Sequence, residues 1–272
     1  MAGSKAGSLA IVSLTCLVSF ATLMMVLIFS DVIYIFFGED ISSEEVVTIL
    51  TSESVRSTVL LSLYTSGITL VLILLIAVPI GYALSRYRFF GIAFLEAIVD
   101  VPILLPPVAL GVSLLAFFGT SGGRAVREFM EGARLPPTAA TGIVICQFLI
   151  AAPFCIRTVK AAFNSVDRRL ENMAMSLGCS QWGAFRRVTL PLASGGLIAG
   201  AIISWARAIG IFGPLMVVVG TAPRVQVMPT KIWLELSVGN IGESMIVALL
   251  SIILAGSALA LVHALVPGRR WM

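Results

Sequence analysis

Residues 170–191 read Leu-Glu-Asn-Met-Ala-Met-Ser-Leu-Gly-Cys-Ser-Gln-Trp-Gly-Ala-Phe-Arg-Arg-Val-Thr-Leu-Pro, and the rest of the chain is best read outward from them. Ser165 to Leu177 predicts a short helix, because Val166, Leu170, Met173, Ala174 and Leu177 recur at helical spacing after a polar start. Gly178 suits the C-cap, where a left-handed residue turns the chain. A second short helix from Ser180 to Leu190 sets Trp182, Phe185, Val188 and Thr189 beside Arg186 and Arg187, and Pro191 closes it. Such a pair serves either as a knob for a groove on a soluble partner or as an amphipathic element lying on lipid headgroups. Periodicity alone leaves both readings open.

Apolar sequence surrounds this stretch on both sides. The 272 residues are 58% hydrophobic and 12% charged, with a mean hydropathy of +1.04. A soluble domain carries about 25% charged residues, so this chain cannot solvate a globular surface. That excludes a soluble enzyme, a disordered chain and a free-standing nucleic-acid-binding module. The net charge of +4 is read as a topology signal and not as a nucleic-acid footprint.

Spans need about 20 apolar residues, and six candidates meet this: about 9–37, 57–84, 89–118, 138–155, 192–220 and 244–266. The expectation is an all-α integral membrane protein, one transmembrane domain over residues 1–272, with a loop at about 157–190. The first span reads as an anchor. Its apolar stretch exceeds the roughly 7–15 residues of a signal-peptide core, and no small-residue cleavage site follows. The third contains Pro102, Pro106 and Pro107 and should be kinked or broken.

Lys and Arg set the orientation. With the N-terminus inside, the cytoplasmic side holds Lys5, Arg86, Arg88, Arg157, Lys160, Arg168, Arg169, Arg186, Arg187, Arg269 and Arg270. The outside holds Arg56, Arg124, Arg127, Arg134, Arg224 and Lys231. Both termini and the 157–190 loop are therefore expected in the cytoplasm.

Several chemistries lack their residues. No GxxxxGK[ST] phosphate loop, GxSxG or HExxH occurs, and the four cysteines with the single His263 form no metal-ligand pattern. His263, late in the sixth span, reads as a satisfied or interface-facing histidine. Charges within spans are few: Glu96 and Asp100 in the third, Arg207 in the fifth. Glu96 and Asp100 are four apart on one helix face; Arg207 either pairs with one of them or lines an anion path. An interhelical ion pair, or charges near enough to the membrane interface to be wetted, is the alternative for all three. A proton-driven transporter would carry more ionisable groups.

The 170–191 stretch resembles the EAA loop of ATP-binding-cassette (ABC) importer permeases: EAA, three residues, Gly, nine residues, Ile-x-Leu-Pro. Aligned on Gly178 and Leu190-Pro191, the triplet falls at Asn172-Met173-Ala174, with Glu171 one place before it and Val188 at the Ile position. Residues 99–108, followed by Gly111, are similar to the third-span signature of molybdate, tungstate and sulfate permeases. So are Ala152-Pro153-Phe154 and the run from Trp205 to Gly213, which departs at Ile211, where that subgroup has Glu.

The resemblance implies a type I ABC importer permease fold in a prokaryotic plasma membrane, with no catalysis in this chain. It implies a homodimer of permeases, two cytoplasmic ATPase subunits carrying the ATP and Mg, an extracytoplasmic substrate-binding protein and no nucleic acid. Glu171, Asn172, Met173, Ala174, Gly178, Leu190 and Pro191 would couple to the ATPase. Arg207, Asp100, Pro106 and Pro107 are the candidates for the translocation path. The expected cargo is an oxyanion; another solute (polyamine, thiamine, ferric ion) and an ATP-independent transporter are the alternatives.

Overall fold

The computed structural model describes residues 15–26, 30, 43–88, 90–132, 138–220 and 225–265. Among them every regular element is helical: α1 (Thr15–Val26), α2 (Ser43–Thr51), α3 (Glu53–Arg86), α4 (Ile92–Leu104), α5 (Pro107–Gly119), α6 (Ser121–Gly132), α7 (Thr138–Asn164), α8 (Arg168–Ser176), α9 (Gln181–Ala184), α10 (Leu190–Ile209), α11 (Gly213–Val218), α12 (Met228–Ser237) and α13 (Ile241–Leu265). Four helices are long and apolar enough to cross a bilayer, and five if the bent pair α4–α5 is one span. The first expected span, 9–37, lies largely outside the described residues.

The centre is a packing of α3, α7 and α10. Ile73, Ala77, Ala151, Cys155, Val159, Phe163 and Ala208 are buried together there. Small residues permit this approach. A Cβ on Gly81 of α3 would come within 2.7 Å of the Val159 side chain, and one on Gly196 of α10 would run into the Ala162 methyl. Between helices in lipid, such closeness supplies the dispersion contacts that hydrophobic expulsion cannot.

A polar stripe runs along the same side of α3: Thr58, Ser62, Thr65, Ser66 and Thr69 are all buried. Ser62 and Thr69 donate to carbonyls four residues back, so these hydroxyls are satisfied within the helix. Some also tie neighbours down. Trp205 Nε1 donates to Ser66 Oγ at 3.1 Å, and the backbone N–H of Met228 donates to Ser62 Oγ at 2.9 Å, seating α12.

The third span is broken, as its prolines predict, by 107° between α4 and α5. Leu105 and Pro106 are extended, with ψ of 139° and 130°. A residue preceding proline avoids the helical region, so Leu105 before Pro106 and Pro106 before Pro107 both leave the helix. Pro107 then occupies the first position of α5, where its missing N–H costs nothing. Helix α5 packs on α11, and a Cβ on Gly111 would sit 2.7 Å from Pro214 Cα.

Three boundaries in this half of the chain depart from the sequence reading. Helix α7 continues nine residues past Cys155, to Asn164, because Val159, Ala162 and Phe163 keep a buried face while Arg157 and Lys160 turn to carboxylates on α4. The element after Gly178 is not a separate second helix. Gln181–Ile209 is one helix of 29 residues, running through a single π-helical turn at Phe185–Thr189. Proline inside a helix clashes with the carbonyl four residues back; the wide turn, with Leu190 N–H donating to Phe185 O, gives Pro191 its room. The fifth span therefore ends at Ile209 and not near 220, stopped by Gly210.

Candidate functional site

The connection from α7 to the 29-residue helix holds the predicted coupling residues. Helix α8 starts where Asp167 accepts a hydrogen bond from the Arg169 N–H at 2.9 Å, one of the donors a helix start leaves free. Its end is a Schellman motif: Cys179 N–H donates to Ala174 O at 3.1 Å and Gly178 N–H to Met175 O at 3.0 Å. Gly178 has φ +90°, a conformation that disfavours any residue with a Cβ. The predicted C-cap is thus where the sequence put it.

Glu171 is the centre of this region. It is 8% exposed, accepts hydrogen bonds from Arg86 Nε at 2.8 Å, Thr189 Oγ1 at 2.5 Å and Tyr82 Oη at 3.3 Å, and lies 2.7 Å from Arg86 Nη2 in an ion pair. Arg86 also donates to Val166 O at 3.1 Å, and Arg168 to Ser85 O at 2.6 Å. One carboxylate therefore joins three elements: α8, the end of α3 and the π turn of the fifth span. Tyr82, Phe163 and Phe185 pack edge-on behind it, and Trp182 stacks on Phe185.

The opposite face of α8 is bare. Leu170, Met173 and Leu177 are 41%, 61% and 85% exposed, and Trp182 on α9, past the turn, is 69% exposed. Asn172 is exposed with them, Ala174 is half-buried, and Pro191 is exposed beside half-buried Leu190. Of the seven predicted coupling residues, Glu171 thus anchors inward while Asn172 and Met173 face outward.

The candidate path residues do not form one cluster. Asp100 is held by Arg157 in a two-pronged pair, both contacts at 2.6 Å, and Glu96 by Lys160 at 2.7 Å. These pairs tie α4 to α7, which is the interhelical alternative the sequence left open. Arg207 pairs with neither carboxylate; its guanidinium lies 5.7 Å from the Phe154 ring centroid, within cation–π range. Pro106 and Pro107 mark the α4–α5 bend, and a Cβ on Gly213 would come within 3.3 Å of Pro107. The side chain of His263 lies outside what is described.

Sequence reasoning missed Arg86, Tyr82 and Thr189 as partners of Glu171, and nothing local marks them. It also missed a second buried charge group. Lys231, 3% exposed, bonds Glu235 and Glu243, each at 2.7 Å, while Asn240 donates to both carboxylates at 3.0 and 3.2 Å. The Lys231–Glu235 spacing of four was a readable signal.

Four or five apolar spans, the bent α4–α5 pair and a folded connection with a bare apolar face define a multi-pass membrane protein. The chain belongs to the ABC importer permease family: residues 74–271 match the family described as "Binding-protein-dependent transport system inner membrane component". It is 36% identical over 227 residues to a "Probable molybdenum ABC transporter permease protein" of Haloferax volcanii, covering 83% of this chain and 78% of that one. It is 36% identical over 167 residues to a "Molybdate/tungstate transport system permease protein" of Thermococcus kodakarensis, covering 61% and 62%. The fold is similar to that in a crystal structure of a bacterial alginate ABC transporter in complex with an alginate-pentasaccharide-bound periplasmic protein, with a TM-score of 0.64, 18% identity, and coverage of 93% and 95%. The chain is a permease subunit of the cell membrane and not itself an enzyme.

Proposed function

We propose that this chain is the permease of an ATP-driven importer for a tetrahedral oxyanion such as molybdate, tungstate or sulfate. Two copies, each with six spans and cytoplasmic termini, form the path. Two cytoplasmic ATPase subunits, which hold the ATP and Mg, dock on α8, and an external binding protein delivers the cargo. The observation that carries this reading is the two-sidedness of α8: its inner face is fixed through Glu171 to α3 and the fifth span, and its outer face presents unburied Leu170, Met173 and Leu177. A lipid-lying element has no need of a buried carboxylate clasp; a rigid knob that must transmit force does.

In this mechanism ATP closes the ATPase pair, and α8 follows. Glu171 passes that displacement to Arg86 and Thr189 together, so α3 and the fifth span move as one body and the path opens outward. Hydrolysis resets the pair. Asn172, Met173 and Ala174 contact the ATPase, Gly178 sets the turn, and Leu190-Pro191 fix the junction with the span. Arg207, lying over the Phe154 ring and paired with no carboxylate among the described residues, attracts the anion. Asp100, held by Arg157, and the Pro106-Pro107 break shape the wall of the path.

The names of the two relatives support molybdate and tungstate as cargo. Proteoliposomes holding the permease and its ATPase, supplied with the binding protein outside, should accumulate labelled molybdate only when ATP is enclosed. Accumulation without ATP would overturn the ATP-driven class. Uptake of a polyamine, thiamine or ferric ion but no oxyanion would overturn the cargo alone.

A further inference from the structure

Helix α4 is held to the bundle by charge and not by packing. None of its residues is buried, and among the described residues only Val99 of α4 packs against the buried clusters. Glu96 pairs with Lys160 at 2.7 Å, and Asp100 with Arg157 through two contacts of 2.6 Å. The pairing order, 96 with 160 and 100 with 157, sets α4 and α7 antiparallel, with two rungs about one helical turn apart. Both carboxylates stand on α4, which carries no cation, and both cations on α7, which carries no carboxylate. The rungs cancel when closed, and once parted neither helix can re-pair its charges within itself.

The helical ladder is interrupted at both ends of α4. Gly91, just before it, has φ +94° and no side chain caps the helix there. Leu105 and Pro106, just after it, are extended, and α5 leaves at 107°. The neighbours on either side are anchored: α3 by the Arg86–Glu171 clasp and α5 by its close approach to Pro214. Rigid arms swing on a few such terminal residues, which absorb the change in backbone angles. Arg157 is exposed and Lys160 partly so, and ion pairs this open are individually weak. A cavity of about 340 Å³ adjoins the rungs and is lined by Glu96, Asp100, Arg157 and Lys160. At about 30 Å³ per water, it has room to solvate all four charges as they part.

We propose that the two rungs are a reversible latch on α4, the inner arm of the broken span. The arm rests on α7 while the path faces outward. It swings off α7, about Gly91 and the Leu105–Pro106 break, when the path faces the cytoplasm. Helix α4 starts a few residues after Arg86, at the end of the bundle that carries α8, so its swing widens the inner mouth. This rests on the reading of α4 and its bend as the wall of the path.

Hydrogen exchange of residues 92–104, in the permease–ATPase complex in nanodiscs, tests the latch without reference to cargo. A non-hydrolysable ATP analogue should slow exchange in α4, because a latched helix opens less often. Glu96→Gln with Asp100→Asn should lose that slowing, and the exchanged pair Asp100→Arg with Arg157→Asp should keep it. A second measurement locks the arm. Glu96→Cys and Lys160→Cys, in a chain whose two unburied cysteines, Cys16 and Cys179, are replaced by Ser, are joined by a bis-methanethiosulfonate linker. The lock should abolish ATP-driven oxyanion uptake in proteoliposomes, and reductant should restore it; uptake by either single-cysteine variant should be unchanged by the linker. Exchange in α4 that ignores the nucleotide or rises with it, or uptake undiminished by the lock, would overturn the latch. No oxyanion uptake by wild type, with the exchange response intact, would overturn the proposed function and leave the latch standing.

Discussion

Arg86 and Glu171 stand 85 residues apart in the chain and meet in a 2.7 Å ion pair with side-chain exposures of only 7% and 10%. The pair joins the last residue of α3 to the first turn of α8. A buried pair of this kind adds little over a well-packed apolar pair, but losing one partner strands the other. Glu171→Ala should therefore destabilise the connection by about 3 kcal/mol, read as a lower melting temperature and faster proteolysis between residues 165 and 180. Arg86→Met combined with Glu171→Leu should recover most of the loss. A single variant as protease-resistant as wild type would show that the clasp does not hold α8.

Gly178 makes a separate prediction. Its φ of +90° costs a β-branched residue about 1–2 kcal/mol or more, although a Cβ there would meet no neighbouring atom. Gly178→Val should thus strain the turn without a clash, leave the permease assembled and uncouple ATP hydrolysis from transport. Substrate-stimulated ATPase activity measured in proteoliposomes checks this; normal stimulation contradicts it.

Arg207 is exposed and free of any carboxylate among the described residues. Arg207→Ala should slow oxyanion uptake several-fold at unchanged protein level, since it removes charge and only one ring contact. Unchanged uptake would return Arg207 to a packing role against Phe154.

The Lys231 group predicts a pH window. Burial pushes the Lys231 ammonium down, but hydrogen bonds and charges from Glu235 and Glu243 raise it above its ordinary value. For Glu235, burial pushes up, and the Lys231 and Asn240 hydrogen bonds pull it below the ordinary glutamate range. A raised lysine contributes stability present below its unfolded pKa and lost as pH rises through the folded one. A lowered carboxylate contributes stability present above its unfolded pKa and lost as pH falls through the folded one. The junction of α12 and α13 should accordingly be firmest between these limits and loosen at both. Trp233 fluorescence should report both limbs, and Lys231→Met should erase the alkaline one.

Much of this was readable from the chain. The proline break of the third span and the Gly178 turn depend on residues with only one comfortable backbone, so local sequence determines them. Long-range pairings were not readable, because Glu171 finds Arg86 only once α3 and α8 are packed, and no spacing encodes a contact across 85 residues. Asp100 and Arg207 illustrate the same limit. Both carry the charge expected of an intramembrane pair, yet each settles on a different residue of α7, Arg157 and Phe154. The extension of α7 to Asn164 was hidden by Arg157 and Lys160, which look like loop residues until their carboxylates on α4 are known.

The π turn divides the helix of the fifth span into unequal arms. Thr189, held by Glu171, lies eight residues from Gln181 and twenty from Ile209 along one 29-residue helix. At 1.5 Å per residue the two arms measure about 12 and 30 Å. Because the clasp ties Thr189 to Glu171, a displacement of α8 enters this helix about 12 Å from one end and about 30 Å from the other. The point of entry is off-centre, and a single threonine sets it.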